Sequence, residues 1–143
     1  MVFTDLDNDG WPDIYVANDS VPNLLFRNMG GGAFGDIVLI SATSLGQTGT
    51  PQAGVGLGIA DYDGDGHEDV FFLNQLGSNG LFRNRGDGTF ENVTEKVGVG
   101  LSDRICVGGT FADVYNDGDQ DLFVASTRGG NVFYENQGGG VLK

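Results

Sequence analysis

Short apolar runs alternate with acidic or glycine-rich connections along this chain. The runs are rich in β-branched and aromatic residues, span three to six residues and are bounded by turn residues, which predicts strands. Grouped by their equivalent place in the repeat, they lie at 55–60 and 107–112; at 14–17, 70–73 and 122–125; at 24–27, 81–83 and 132–134; and at 90–94. No convincing helix is predicted, because 95–97 is too short to form one unaided. The pattern therefore predicts an all-β fold built from four-stranded antiparallel sheets.

The same residues recur at fixed spacings from the first aspartate of three acidic loops. An Asn follows 18 and again 23 residues later, and a Gly follows 25 and 27 residues later. The loops begin 56 and 52 residues apart, and the difference falls in the connection between units. Constant spacing within a unit indicates repeated modules, and a four-stranded unit of roughly 50 residues is typical of a propeller blade. We predict one partial β-propeller over 1–143, with repeats at approximately 1–40, 53–97 and 105–143.

The acidic loops span 5–13, 61–69 and 113–121 and share the pattern D-x-(D/Y)-x-D-G-x-x-D. Carboxylates at alternate positions ahead of a glycine turn are typical of a Ca²⁺ cage, since this hard cation takes oxygen ligands. Packing so many like charges together would be unfavourable without a cation. The loops therefore predict a metal.

Composition excludes several classes of function. The formal net charge is −13 with only seven Lys and Arg residues, which argues against nucleic-acid binding. No apolar stretch is long enough to insert into a membrane. Twelve of the 16 aspartates lie in the three loops, so the acidity belongs mainly to them. Both ends cut through a predicted blade and no signal peptide is visible, so we expect a piece of a longer chain.

The combined pattern resembles a known repeat family. An apolar strand, D-x-D-x-D-G-x-x-D, a second strand and then N-x-L-F-R-N-x-G-x-G-x-F is similar to the FG-GAP/VCBS repeat. Residues 79–94 resemble most its cartilage-acidic-protein-like subset, which is often found with a UnbV/ASPIC domain. This family builds the propeller of integrin α subunits and of many secreted bacterial proteins. The resemblance implies a calcium-binding propeller in a secreted, periplasmic or cell-surface protein.

The resemblance also implies a ligand set, with side chains from loop positions 1, 3, 5 and 9 and a backbone carbonyl from position 7. The three implied sets are Asp5, Asp7, Asp9, the Trp11 carbonyl and Asp13; Asp61, Asp63, Asp65, the His67 carbonyl and Asp69; and Asp113, Asp117, the Asp119 carbonyl and Asp121. Tyr115 replaces the third-position carboxylate in the last set, so we expect two or three Ca²⁺ ions. An EF-hand is excluded because its twelfth position needs Glu, where this chain has Val16, Phe72 or Val124.

Function follows less directly from these patterns. We expect a non-catalytic module that binds an unknown protein or glycan ligand in adhesion. The alternative is the scaffold of an extracellular carbohydrate-active enzyme whose catalytic residues lie outside this chain. A third possibility is self-association through open blade edges, with two copies making a six-bladed ring. Arg27 and Arg83 recur at one repeat position, where the third copy has Glu135, which predicts a structural ion pair.

Overall fold

The structure is a computed structural model that describes residues 1–19, 21–38, 54–75 and 77–143. The described residues form three antiparallel sheets, called blades 1, 2 and 3 in chain order. Blade 1 contains β1 Val2–Thr4, β2 Asp13–Val16, β3 Leu24–Asn28 and β4 Phe34–Asp36. Blade 2 contains β5 Gly54–Ala60, β6 Asp69–Asn74, β7 Gly80–Asn84 and β8 Phe90–Asn92. Blade 3 contains β9 Ile105–Ala112, β10 Asp121–Arg128 and β11 Val132–Tyr134.

Each blade is a meander in which consecutive strands are hydrogen-bonded neighbours. The prediction of an all-β fold made of propeller blades is confirmed. In blade 3 the fourth strand is reduced to a bridge between Asn136 and Leu142, flanked by two backbone hydrogen bonds of 2.8 and 2.9 Å between Glu135 and Lys143. The repeat boundaries stay a prediction, since 39–53 lie outside the described residues.

One helical turn departs from the prediction that no helix would form. This turn, α1 Thr94–Val97, follows β8 and ends at Gly98, whose φ of 80° closes it. Asn92 Oδ1 accepts hydrogen bonds from the Thr94 backbone N–H at 3.1 Å and from its hydroxyl at 2.6 Å. These side-chain bonds begin a turn that would not persist alone. No helix in the described part of the chain has the length and apolar character needed to cross a membrane.

The apolar core lies between the blades and forms two clusters. One cluster joins Tyr15 and Leu25 of blade 1 to Val70 and Phe72 of blade 2. The other lies between blades 2 and 3, and its buried members include Phe71, Leu73, Leu81, Cys106, Leu122 and Val124. Successive residues of β6 thus face opposite neighbours, and all six residues of that strand are buried. A strand covered on both faces is apolar at consecutive positions, which explains its Val-Phe-Phe-Leu run.

The inner strands of neighbouring blades approach closely because glycines replace side chains there. A Cβ placed on Gly109 of β9 would lie 3.1 Å from the Phe71 ring and 3.2 Å from Leu73. Beside it, the rings of Phe71 and Phe111 pack edge to face with their centroids 6.2 Å apart. A bulkier residue at position 109 would push blade 3 away from blade 2.

A second close approach between the same blades can be tested by substitution. Gly140 has a φ of +77°, and a Cβ there would lie 2.7 Å from the Tyr62 ring and 2.8 Å from Asp63 Cβ. Gly139 has a φ of +60° but nothing within 4 Å of its added Cβ. Both Gly→Ala variants should lose about 1–2 kcal/mol through left-handed backbone strain. Gly140→Ala should lose about 1–3 kcal/mol more through overpacking.

Urea unfolding of the two variants measures this difference directly, because the backbone strain is common to both. Equal losses from Gly140→Ala and Gly139→Ala would contradict the close packing of the blade 3 turn against the blade 2 loop.

Candidate functional site

The three acidic loops occupy the same place in each blade, between its first and second strands. We call them loop 1 (5–13), loop 2 (61–69) and loop 3 (113–121). The glycine at the sixth position has a φ near +90° in all three, which a residue with a side chain rarely adopts. Asn8 of loop 1 donates to the Gly66 carbonyl of loop 2 at 3.0 Å, and its Nδ2 lies 2.9 Å from His67 Nδ1. Loops 1 and 2 are therefore in direct contact.

The first aspartate of each loop organises the backbone around it. Asp61 Oδ1 accepts hydrogen bonds from the Gly64 N–H at 2.9 Å and the Asp65 N–H at 3.0 Å, and its Oδ2 accepts from the Gly66 N–H at 2.9 Å. Asp5 and Asp113 accept equivalent bonds in loops 1 and 3. The loop shape is thus set by a carboxylate and backbone amides.

The aspartate at the ninth position of each loop is buried and holds that loop against the third strand of its blade. The members of this set are Asp13, Asp69 and Asp121. Asp69 Oδ2 accepts from the Tyr62 N–H at 3.0 Å, and Oδ1 accepts from the Asn84 N–H at 2.7 Å. Asp13 and Asp121 each make the same two bonds with backbone amides. The sequence predicted these carboxylates as metal ligands alone, and their bonds to backbone amides carried no signal in the repeat pattern.

Burial has an electrostatic consequence at the ninth position. It raises the pKa of the Asp69 carboxyl to about 7, although the amides of Asn84 and Tyr62 lower it. The charges of Asp63 and Asp65 raise the pKa further. Burial also raises the pKa of Asp13. The negative charge in each of these loops is therefore held in surroundings that disfavour it.

An asparagine at the end of the third strand extends the connection to the preceding blade. Asn84 Nδ2 donates to Glu68 O of its own loop at 3.0 Å and to Leu6 O of loop 1 at 2.6 Å. Asn136 Nδ2 likewise donates to its own loop and to Tyr62 O of loop 2 at 2.7 Å. An asparagine recurs 23 residues after the start of each loop, and this recurrence was the signal in the sequence for the role.

Arginines of the third strand neutralise part of the charge in loops 1 and 2. The recurrence of Arg27 and Arg83 predicted an ion pair but did not identify the loop carboxylates as its partners. Arg27 Nε lies 2.5 Å from Asp7 Oδ2, and its Nη2 lies 3.3 Å from Asp9 Oδ2. Arg83 pairs in the same way with Asp63 and Asp65. The predicted ion pair is confirmed in both blades.

Two groups of carboxylates lie close enough to hold a metal ion. One oxygen from each member lies within 4.8 Å of the others in the group Asp5, Asp7 and Asp13 and in the group Asp61, Asp63 and Asp65. Asp63 Oδ1 is also buried and accepts no hydrogen bond from the described residues. A buried carboxylate oxygen without a partner is unfavourable unless a cation or donor meets it. The oxygen-only donor set suits a hard cation.

Loop 3 differs at two positions that contact each other in the other blades. Tyr115 stands where Asp7 and Asp63 stand, and Glu135 stands where the two arginines stand. The Tyr115 ring packs edge to face against Phe133 at 6.3 Å. Among the described residues, loop 3 contributes no group of three carboxylates of the kind found in loops 1 and 2. The aspartate–arginine pair is replaced by an aromatic contact.

The complete ligand sets stay a prediction. The structure places Asp9 and Asp117 as acceptors of backbone N–H bonds inside their loops. The side chains of Trp11 and His67 lie beside Gly30 and Gly86, the turn glycines of their own blades. Both residues were predicted to contribute carbonyl oxygens, so their side chains are free to pack on these turns.

Comparison with known proteins agrees with this architecture. The family model described as FG-GAP-like repeat matches residues 5–72 and 61–124. Cartilage acidic protein 1 of Xenopus tropicalis is 33% identical over 121 residues, which are 82% of this chain and 17% of that protein. A solved lectin of Agrocybe aegerita, described as recognising non-reducing terminal N-acetylglucosamine, has 25% identity and a TM-score of 0.63. That match covers 99% of this chain and 36% of the lectin, so the chain spans a minor part of both relatives.

The arginine pairs give a prediction for the stability of the metal-free protein. Arg83→Gln should lower the free energy of unfolding by about 0.5–1 kcal/mol, because two neighbouring carboxylates lose their counter-charge. Urea unfolding in excess EDTA at low ionic strength measures the effect, and added salt should reduce it.

Arg85→Gln is the matched control for this substitution. Arg85 lies two residues away, and within the described part of the chain its ion pair is with Glu91, at 3.6 Å and with both side chains exposed. Its loss should therefore change stability by less than about 0.3 kcal/mol. If Arg85→Gln lowered the free energy of unfolding as much as Arg83→Gln, the pairs of Arg83 with Asp63 and Asp65 would stabilise the protein no more than an exposed surface pair does.

Proposed function

The chain belongs to the FG-GAP-like repeat family, and from that premise and the loop geometry we propose that it is a calcium-binding propeller module. We propose further that it acts outside the cytoplasm, in a secreted, periplasmic or cell-surface protein, and binds a protein or glycan ligand. The observation that carries the calcium proposal is the unpaired, buried Asp63 Oδ1 among converging carboxylates.

Arg83 and the backbone amides pair with some carboxylate oxygens of loop 2 but not with Asp63 Oδ1. Arg83 takes one oxygen of Asp63, and backbone amides take both oxygens of Asp61. Two buried oxygens of loop 2, Asp63 Oδ1 and Glu68 Oε2, accept no hydrogen bond from the described residues. Of the two residues only Asp63 belongs to the converging carboxylate group, where its Oδ1 keeps its full desolvation penalty. Bound Ca²⁺ supplies positive charge and accepts oxygen ligands without needing further donors.

Calcium in this proposal is structural. Because the carboxylates converge only when the loop is folded, the ion binds the folded state and stabilises it by mass action. Extracellular calcium modules bind with a Kd of order 10⁻⁴–10⁻³ M, which suits the proposed location. Loops 1 and 2 carry the required carboxylate groups, so we propose two ions.

We propose that the module is non-catalytic and that its ligand is a protein or glycan. His67, the single histidine of the chain, contacts Asn8 and so serves the contact between loops 1 and 2. A cavity of about 250 Å³ lies between blades 2 and 3, lined by residues that include Tyr62, Arg83 and Lys96. The glycan alternative is supported by the likeness to the Agrocybe aegerita lectin and by this mixed aromatic and cationic lining.

Thermal unfolding with about 2 mM Ca²⁺ against excess EDTA tests the calcium proposal. The midpoint should rise by on the order of 10 °C, because two sites saturated several-fold each add about 1–2 kcal/mol. Asp63→Asn should remove about half of the rise. Asp103→Asn, an exposed aspartate outside the loops, is the control and should leave the rise unchanged. No calcium-dependent shift in the unaltered chain would overturn the proposal.

Titration calorimetry counts the bound Ca²⁺ ions and so tests whether loop 3 binds one. The unaltered chain should bind two ions. The double variant Tyr115→Asp/Glu135→Arg restores the residue types of loops 1 and 2, and it should bind a third ion. Three ions in the unaltered chain would show that a carboxylate at the third position is unnecessary.

Ligand binding is tested by retention on immobilised extracellular-matrix proteins and on oligosaccharides, including those ending in N-acetylglucosamine. We expect retention in Ca²⁺ that falls in EDTA. If the ligand is a glycan in the cavity between blades 2 and 3, Lys96→Gln should weaken retention at least several-fold while Lys143→Gln leaves it unchanged. Equal retention on every surface, or none on any, would contradict a specific binding module.

A further inference from the structure

Arg104 and Arg128 line a pocket between blades 2 and 3, which we call the arginine pocket. Its volume is about 340 Å³, within the range of about 300–1,000 Å³ that is usual for small-molecule sites. Ile105 begins β9 and Arg128 ends β10, whereas loop 3 joins the other ends of these two strands. Blade 2 supplies Gln75 and Gly77 from the connection after β6. The pocket therefore lies at the end of the blades opposite the acidic loops, and both of its walls belong to neighbouring blades of this chain.

The turn between β10 and β11 holds Arg104 in this pocket. Arg104 Nη1 donates to the carbonyl oxygens of Gly129 and Gly130, the second at 2.9 Å. The two glycines have φ angles of 97° and 86°, and a Cβ on Gly129 would lie 2.8 Å from Arg104 Cγ. A side chain at position 129 would be strained at this φ and would collide with the arginine, so the turn needs glycine there. The guanidinium is thus oriented in the absence of a ligand.

The positive charges of this pocket lack close counter-ions among the described residues. Arg104 Nε is buried without a hydrogen-bond acceptor there, and Asp103 Oδ1, with which it forms an ion pair, lies 3.7 Å away on a side chain that is 74% exposed. Arg128 forms no ion pair within the described part of the chain. Positive charge that is not neutralised nearby attracts an anion.

Arg128 is specific to blade 3 and is not a feature of the repeat. Counted from the first aspartate of each loop, its position is occupied by Ser20 and Leu76 in the other two units. Arg27, by contrast, recurs as Arg83 and pairs with an acidic loop in each case. The geometry of a blade therefore does not require an arginine at the end of β10.

The acidic loops are too far from the arginine pocket to repel an anion there strongly. β10 spans eight residues, from Asp121 of loop 3 to Arg128. At about 3.3 Å per residue this is a separation of roughly 23 Å. It exceeds the Debye length of about 8 Å at physiological salt, so the charge of loop 3 is largely screened at the pocket. An acidic chain can therefore bind an anion at this end of its blades.

The other residues of the pocket indicate what accompanies the negative charge of the ligand. Gln75 has an amide that donates and accepts hydrogen bonds, Ser102 has a hydroxyl group, and Asp103 has a carboxylate that accepts them. Asp103 would repel a bare anion, but it can accept hydrogen bonds from hydroxyl groups. Two arginines and one aspartate leave one net positive charge, which matches a group with one negative charge and several hydroxyls. A uronic acid, a sugar ring that carries a carboxylate, has this combination.

We propose that the arginine pocket binds a uronic acid unit of an acidic glycan, with the carboxylate at Arg104 and Arg128. Hydrogen bonds between arginine and a carboxylate are charge-assisted and are stronger than neutral ones. The sugar hydroxyls then pair with Gln75, Ser102 and Asp103. The inference rests on the proposed ligand-binding function and names the chemical class of a glycan ligand. The site is separate from the calcium loops and from the cavity lined by Lys96.

Titration calorimetry of the 143-residue chain tests the proposal with oligosaccharides of glucuronic, galacturonic and mannuronic acid. At least one of the acids should bind, at one site per chain. Its methyl ester keeps every ring hydroxyl but loses the charge, so it should bind about ten-fold more weakly or worse. A sulfated oligosaccharide without carboxylates and a glutamate peptide should bind less tightly than the acid by a similar factor. Failure of all three acids to bind, or equal binding of the ester, the sulfated sugar or the peptide, would overturn the proposal.

Substitution of the two arginines locates the binding. Arg104→Gln and Arg128→Gln should each raise the Kd of the acid about ten-fold, and they should raise that of the methyl ester much less, because only the charged contact is lost. In the unaltered chain, the NMR resonance of the Arg104 Nε–H should shift when the acid is added. Circular dichroism verifies that each variant is folded. An unchanged Kd in either folded variant would overturn the assignment of the pocket.

Arg85→Gln is the matched control, because it removes the same charge from an exposed arginine beyond the other end of β7. It should leave the Kd of the acid unchanged, and weakening as large as that of Arg104→Gln would show that the acid is attracted by net charge and not by the pocket. These outcomes are separate from those of the proposed function. If calcium still stabilises the chain and other ligands are still retained while no uronic acid binds, the arginine pocket assignment alone fails.

Discussion

The buried carboxylate at the ninth position of each loop is the interaction on which the rest of the structure depends. Asp13, Asp69 and Asp121 each accept one backbone N–H from their own loop and one from the end of the third strand. The residue that donates from the strand is an asparagine, and in blades 2 and 3 its side chain reaches back to the preceding loop. A single buried charge therefore fixes the loop, the blade and the contact between blades. In loops 1 and 2 the charge is held against its own desolvation, since burial raises the pKa of Asp13 and Asp69.

Positive charge offsets the carboxylates of loops 1 and 2 in two ways. Arg27 and Arg83 supply it permanently from the third strand, and they engage only some of the carboxylate oxygens. The proposed Ca²⁺ engages those that remain. Loop 3 supports a link between the arginine and the proposed ion. It lacks both the third-position carboxylate and the arginine, and in their place Tyr115 contacts Phe133. The pair is thus kept or replaced as a unit within this chain.

Much of this fold could be predicted from the sequence because the repeat shows each feature three times. The strands follow from short apolar runs, and an ion pair of Arg83 follows from its recurrence, although its partners in loop 2 do not. The amide bonds of Asp69 could not be predicted, since an aspartate that accepts amide bonds and one that binds a metal have the same letter. The turn at Thr94 depends on the side chain of Asn92, a contact that helix periodicity does not contain. The unequal burial of Phe71 and Phe123 depends on which blades are neighbours in space.

In the proposed function, loops 1 and 2 each receive a cation among converging carboxylates, and in loop 2 one of these oxygens, Asp63 Oδ1, is left unpaired by the described residues. Long-wavelength diffraction from crystals grown with Ca²⁺ tests this most directly, because anomalous scattering locates the ion among named atoms. The account predicts one peak in each of loops 1 and 2, with Asp63 Oδ1 among the ligands in loop 2 and Arg83 still paired with Asp63. Empty loops at saturating calcium, or an ion that displaces Arg83 to reach its ligands, would contradict it.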